Sequence, residues 1–152
     1  MSDIISNFST PEGKIAKEVA SQFISTKVGN TASKNCSAVR EEVVILLRLA
    51  AEIEKDYGFT FNNMCNRLDV NSENAYFHFS TIADEILVHG EENWGRIIIL
   101  YAFAAKLAEK CKQSNNDAMI ENIIYWLSCL IARKSSWIRE SGKGWVSSHT
   151  YN

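Results

Sequence analysis

A chain of 152 residues with 46% hydrophobic and 22% charged residues has an ordinary globular composition, and is long enough to bury about 68–70% of its unfolded surface without disulfide or metal staples. Its net charge of −2, with lysines and arginines mixed among the acids, leaves no basic stripe to neutralise phosphates, which argues against nucleic acid as a partner. The longest apolar run, Ile97 to Ala105, falls far short of the ~20 residues of a membrane span, so no transmembrane helix is expected. A single proline, Pro11, and few alternating Val/Ile/Thr runs favour an all-α chain, with residues 1–152 as a single domain.

Taken in order, Thr10 as cap, Pro11 in the first turn and Glu12 at the positive end predict a first helix. It carries Ile15, Val19, Phe23 and Val28 on one face and stops at Gly29-Asn30. Residues 29–36 are small and polar, hence a flexible loop. Ser37 caps a second helix that runs to Tyr57, with Val43, Leu46, Leu47, Ala50, Ile53 and Tyr57 at helical spacing, and Gly58 is expected to end it. A short third helix covers Phe59–Arg67, with Phe61, Met64 and Leu68 as its apolar residues. Asn71-Ser72-Glu73 caps a fourth, whose stripe is Tyr76, Phe79, Ile82, Ala83, Ile86 and Leu87. The fifth, Trp94 to Lys112, is apolar on nearly every side, so other helices must surround it. After a turn at Ser114–Asp117, a sixth helix spans Ala118–Ala132 with Met119, Ile123, Trp126, Leu127 and Leu130 inward. Helical turns around Trp137 and after Gly144 complete a bundle of about eight helices. Its centre is a hydrophobic hairpin of the fifth and sixth.

The chemistry-bearing residues point away from catalysis. Cys36, Cys65, Cys111 and Cys129 are widely spaced and read as reduced thiols. His78, His89 and His149 have no partners at metal-ligand spacing. With no phosphate loop or nucleophile elbow, neither an enzyme nor a cofactor is expected.

The most informative segment is Asn93-Trp94-Gly95-Arg96-Ile97, after the acidic turn His89-Gly90-Glu91-Glu92. Asn93 can cap free N–H groups, and Gly95 lets the first turn approach another backbone. Arg96 is a planar cation at the lip of the most buried helix, suited to a carboxylate on an amphipathic partner. The same letters also describe an ordinary capped core helix with a solvated arginine.

Asn93-Trp94-Gly95-Arg96-Ile97 resembles the first homology region of the Bcl-2 (B-cell lymphoma) family of apoptosis regulators. Glu18 to Val28, around Phe23 and Ile24, resembles the fourth. Trp137 to Trp145 resembles the second, with Lys143 inserted between Gly142 and Gly144. Ser72 to Tyr76 with Phe79, and Leu46-Leu47-Arg48-Leu49, resemble segments of the effectors Bak and Bok. The likeness runs from Glu18 to Trp145 in family order and implies a Bcl-2-like bundle. The family's third region (BH3) has a Leu, then Gly-Asp four and five residues later. Here Leu46 is followed by Ala50-Ala51 and Ile53, and Glu52 is displaced by about 100° of helix rotation.

The resemblance further implies a surface groove that receives the amphipathic BH3 helix of a pro-apoptotic relative of the Bak, Bax or BH3-only type. Matching positions make Ile53, Tyr57, Phe61 and Met64 one wall, Ile82 and Ile86 the other, and Ile98, Ile99 and Phe103 the floor. Asn93 and Arg96 would meet the ligand's polar residues, Arg96 its aspartate. Each apolar position, taken alone, reads equally well as plain core. Loss of the Gly-Asp pair and the length of the acidic turn point to a pro-survival regulator that sequesters such helices. The alternative is a Bak/Bok-like effector that permeabilises the mitochondrial outer membrane. The expected location is the cytoplasm, and the cytosolic face of that membrane if the full-length protein has a C-terminal anchor. The apolar tail usual after the second region is absent from this chain.

Overall fold

The structure is a computed structural model and describes residues 10–29, 39–69, 73–88, 93–140 and Trp145. They form α1 (Pro11–Lys27), α2 (Arg40–Asn66), α3 (Ala75–Val88), α4 (Trp94–Gln113), α5 (Asp117–Ala132) and α6 (Ser135–Glu140). Among the described residues there is no strand. Most of the loop at residues 29–36, the caps at Ser37, Asn71 and Ser72, the acidic turn His89–Glu92 and the turn through Lys143 lie outside them.

The ends of α1 follow local chemistry. The Thr10 side chain accepts from the Gly13 N–H at 3.0 Å, Pro11 occupies the first turn, and the chain leaves through Gly29 at φ 79°. That left-handed backbone is one glycine adopts without steric cost. The α4–α5 turn places Asn115 at φ 57°, and the Asn116 side chain then caps α5 by accepting from the Met119 N–H at 3.3 Å; asparagine tolerates the left-handed region best among non-glycine residues.

Six helices stand among the described residues where about eight were expected in the whole chain. The turn expected after Gly144 lies, apart from Trp145, outside the described residues, and Gly58 accounts for the other difference. Gly58 does not end a helix: α2 continues through it for 27 residues. A glycine inside a helix costs only about 1 kcal/mol relative to alanine, less than the packing of Phe61, Cys65 and Leu68, all buried, contributes beyond it.

As expected from its composition, α4 is the central helix, with Ile97, Ile98 and every residue from Leu100 to Ala105 buried. It packs on α1, α2, α3 and α5. Phe23 of α1 meets Tyr101 edge-on at 5.3 Å, and Phe79 of α3 stacks on Phe103 at 5.9 Å. Trp94 joins Trp137 and Trp145 at 5.8 and 5.4 Å, fastening the start of α4 to α6 and the C-terminal segment. On the opposite side, Lys27 lies 3.3 Å from Glu54 and 3.6 Å from Glu109, and Lys106 lies 3.5 Å from Glu54. This partly exposed network joins α1, α2 and α4. No helix among the described residues is long and apolar enough to cross a membrane.

Cys65, Cys111 and Cys129 are free thiols. Burial pushes Cys65 and Cys111 up to about 11, so at neutral pH they are protonated and act as small hydrophobes. Tyr101 is fully buried, and its hydroxyl has no hydrogen-bond partner among the described residues. An unsatisfied buried hydroxyl is a standing cost. Tyr101→Phe should therefore raise stability by about 1 kcal/mol in urea unfolding; a loss of that size would mean that the hydroxyl has a partner.

Candidate functional site

Three elements converge at one corner: the second half of α2, the end of α3 and the start of α4. Asn93 is extended, and its side chain accepts the Arg96 N–H at 3.0 Å. This cap sets the first turn of α4 so that Arg96 reaches back across α3. Its Nη1 donates to the Ile86 carbonyl at 3.2 Å. That carbonyl belongs to the last described turn of α3, and a cation there meets the negative end of the helix dipole. Arg96 Nε is buried and has no partner among the described residues.

Beside Arg96 lies an open depression of about 230 Å³. Tyr57, Thr60, Phe61 and Met64 of α2 form one side; Ile86 of α3 and Ile99 and Arg96 of α4 form the other. Arg96 is its sole charged lining residue among the described residues. The site is thus an apolar trough with one fixed guanidinium at its edge and an unused donor on that guanidinium. It can take up apolar side chains and a carboxylate in the same event.

The structure brings together Tyr57, Phe61, Met64, Ile86, Arg96 and Ile99 from the expected set. The remaining positions differ, each for a reason of register. Ile98 and Phe103 are fully buried; they are core rather than an open floor, since α4 is covered on those faces by its neighbours. Ile82 is buried one turn before Ile86, in the core with Phe79 and Ala83. Ile53 packs half-buried on the core, one turn before Tyr57, and does not line the depression. Asn93 spends its side-chain oxygen on the α4 cap, and lines a separate crevice of about 10 Å³ with Leu87, Arg96, Ile97 and Lys134. Thr60 was missed because the expected break at Gly58 hid its position three residues after Tyr57 on one continuous helix.

The segment in the place of the third homology region is turned inward. Leu46, Leu49 and Ala50 are buried, while Ala51 faces solvent. Its apolar face is already engaged by the core of its own chain.

These features define an all-α bundle sheathing one buried helix, with a cation-edged apolar trough on its surface. Comparison with known proteins names the class. The model for "Apoptosis regulator proteins, Bcl-2 family" matches residues 46–145. The chain is 30% identical over 107 residues to Bcl-2-related ovarian killer protein homolog B of Danio rerio, covering 68% of this chain and 50% of that protein. It is 27% identical over 95 residues to Bcl-2-like protein 1 of Gallus gallus, covering 62% and 41%. The chain thus spans about half the length of these relatives or less. The crystal structure of chicken BOK superposes with a TM-score of 0.72 at 25% identity, covering 88% of this chain and 92% of that one. Trichoplax adhaerens trBcl-2L2, solved bound to trBak BH3, superposes at 0.77 and 23% identity, covering 88% and 94%, a likeness of fold. The chain belongs to the Bcl-2 family of apoptosis regulators, whose members are regulators rather than enzymes.

Proposed function

We propose that this protein is a pro-survival regulator that holds the amphipathic BH3 helix of a pro-apoptotic relative in the α2–α3–α4 trough. The observation that carries this reading is the apolar depression edged by Arg96, whose Nε has no partner among the described residues. A ligand helix would lay apolar side chains between Met64, Ile86 and Ile99 and bring an aspartate to the guanidinium. Ala50-Ala51 supports survival over killing. Without the aspartate at position 51, this chain's own third region lacks the carboxylate that would engage a relative's arginine. The proposed place of action is the cytoplasm, and the cytosolic face of the mitochondrial outer membrane where the full-length protein carries an anchor.

The likeness to Bok-type relatives favours a second reading, an effector that permeabilises the outer membrane. Calorimetry with synthetic BH3 peptides, followed by release of liposome or mitochondrial contents, separates the two. The expected result is one-to-one binding and suppression of release by an activated killer. Release by this protein alone would establish the effector reading, and absence of heat at tens of micromolar would remove the groove assignment. A peptide covering residues 37–58 should bind relatives poorly. Ala51→Asp in that peptide should tighten binding by about 1.5 kcal/mol or more, as a hydrogen bond to a charged group does.

A further inference from the structure

The two ends of α2 are held differently from its middle. Val43, Ile45, Leu46, Leu49 and Ala50 seat its first half in the core, and Phe61 and Cys65 seat its last turns. From Ala51 to Thr60 no side chain is buried. Within that stretch Ile53 rests half-buried on the core, and Glu54 reaches Lys27 and Lys106. From Lys55 to Thr60 no side chain makes a hydrogen bond or ion pair among the described residues, and Phe59 is 81% exposed.

Gly58 stands in the middle of this unsupported stretch. A Cβ there would meet nothing within 4 Å, and Gly58 is not among the positive-φ residues. Neither packing nor backbone geometry calls for glycine, which makes a helix interior less stable than alanine does. What glycine does supply is a backbone that leaves the helical region readily. The same stretch carries Tyr57 and Thr60, part of the wall of the depression. That depression, about 230 Å³, is below the roughly 300–1,000 Å³ of ordinary ligand sites, and a helix that inserts several side chains needs more.

We infer that Gly58 is a hinge: α2 opens there into two arms, and displacement of the Tyr57–Thr60 wall widens the depression to admit a helical ligand. Local openings of this kind belong to segments with few buried contacts and solvent-facing backbone bonds. The role in admission rests on the groove reading proposed above, whereas the hinge itself is a property of the free protein.

Amide hydrogen exchange on the free protein, wild type and Gly58→Ala, measured across low urea concentrations, tests it. Amides of residues 55–62 should exchange through an opening insensitive to urea and at least ten-fold faster than those of α4. Gly58→Ala should slow that opening about five-fold, the ratio equivalent to the ~1 kcal/mol glycine–alanine difference in helices. Association of a synthetic BH3 peptide should slow by the same factor, because binding draws on the open fraction. Exchange of residues 55–62 only through urea-dependent global unfolding together with α4 overturns the hinge, as does an opening unaffected by Gly58→Ala. Equal association rates for the two proteins overturn its role in admission. If the exchange pattern appears but no peptide binds, the hinge stands and the groove reading falls.

Discussion

Arg96→Ala should weaken binding of a BH3 peptide by about 2–5 kcal/mol, the loss seen when one member of a partly buried charge pair is truncated. That is a large part of the ~8–11 kcal/mol of a micromolar to ten-nanomolar complex. The effect on the fold should be smaller but measurable. Arg96 donates to the Ile86 carbonyl at 3.2 Å, and losing one such bond costs about 1 kcal/mol. Arg96→Lys should restore part of the affinity, since an ammonium supplies charge but not the planar fork. A peptide with its aspartate replaced by alanine should bind the wild type weakly and lose little more against Arg96→Ala, the non-additivity of a direct pair. Losses that simply add would make Arg96 a bystander. Arg96 is half-buried and its unpaired Nε is buried, so a ligand carboxylate gains that donor only if the side chain or the α3–α4 corner shifts on binding.

Three of the helices in and around the centre were legible because their starts are written locally: Thr10 with Pro11, Asn93 and Asn116 all cap through side-chain oxygens. By contrast, α2 starts after Val39 without a side-chain cap. The all-apolar character of Ile97 to Ala105 placed α4 in the middle for the same kind of reason, since such a helix has no solvent face. Two things were not local. Whether Gly58 stops a helix depends on Phe61 and Cys65 finding a core to enter, which is a tertiary matter. Whether an isoleucine lines a trough or fills the core depends on one helical turn: Ile82 is sealed while Ile86 reaches the depression. Periodicity identifies the apolar face but not where neighbouring helices stop covering it. Arg96 was legible as a cation at a lip, yet its bond to α3 follows only from the α3–α4 corner.

Phe103→Ala should reduce stability by about 3–5 kcal/mol, the range for removing a buried phenylalanine, and lower the melting temperature by roughly 10 °C in a chain of this size. The side chain is fully buried and stacks on Phe79, which in turn leans on Trp126 at 5.5 Å. Its removal opens a void at the contact of α3 with α4, and the surrounding rings can close it only in part. Since Phe103 does not reach the depression, peptide affinity measured well below the melting point should change by no more than about three-fold, under 1 kcal/mol. Ile99→Ala should behave in the opposite sense. Ile99 is half-buried at the depression, so its loss should fall on binding more than on unfolding. Denaturant midpoints with unchanged slopes, read beside calorimetric affinities, check both. A Phe103→Ala protein that unfolds like the wild type but no longer binds would restore Phe103 as the floor of an opened groove. The trough as defined by Tyr57, Ile86 and Ile99 would then be only its entrance.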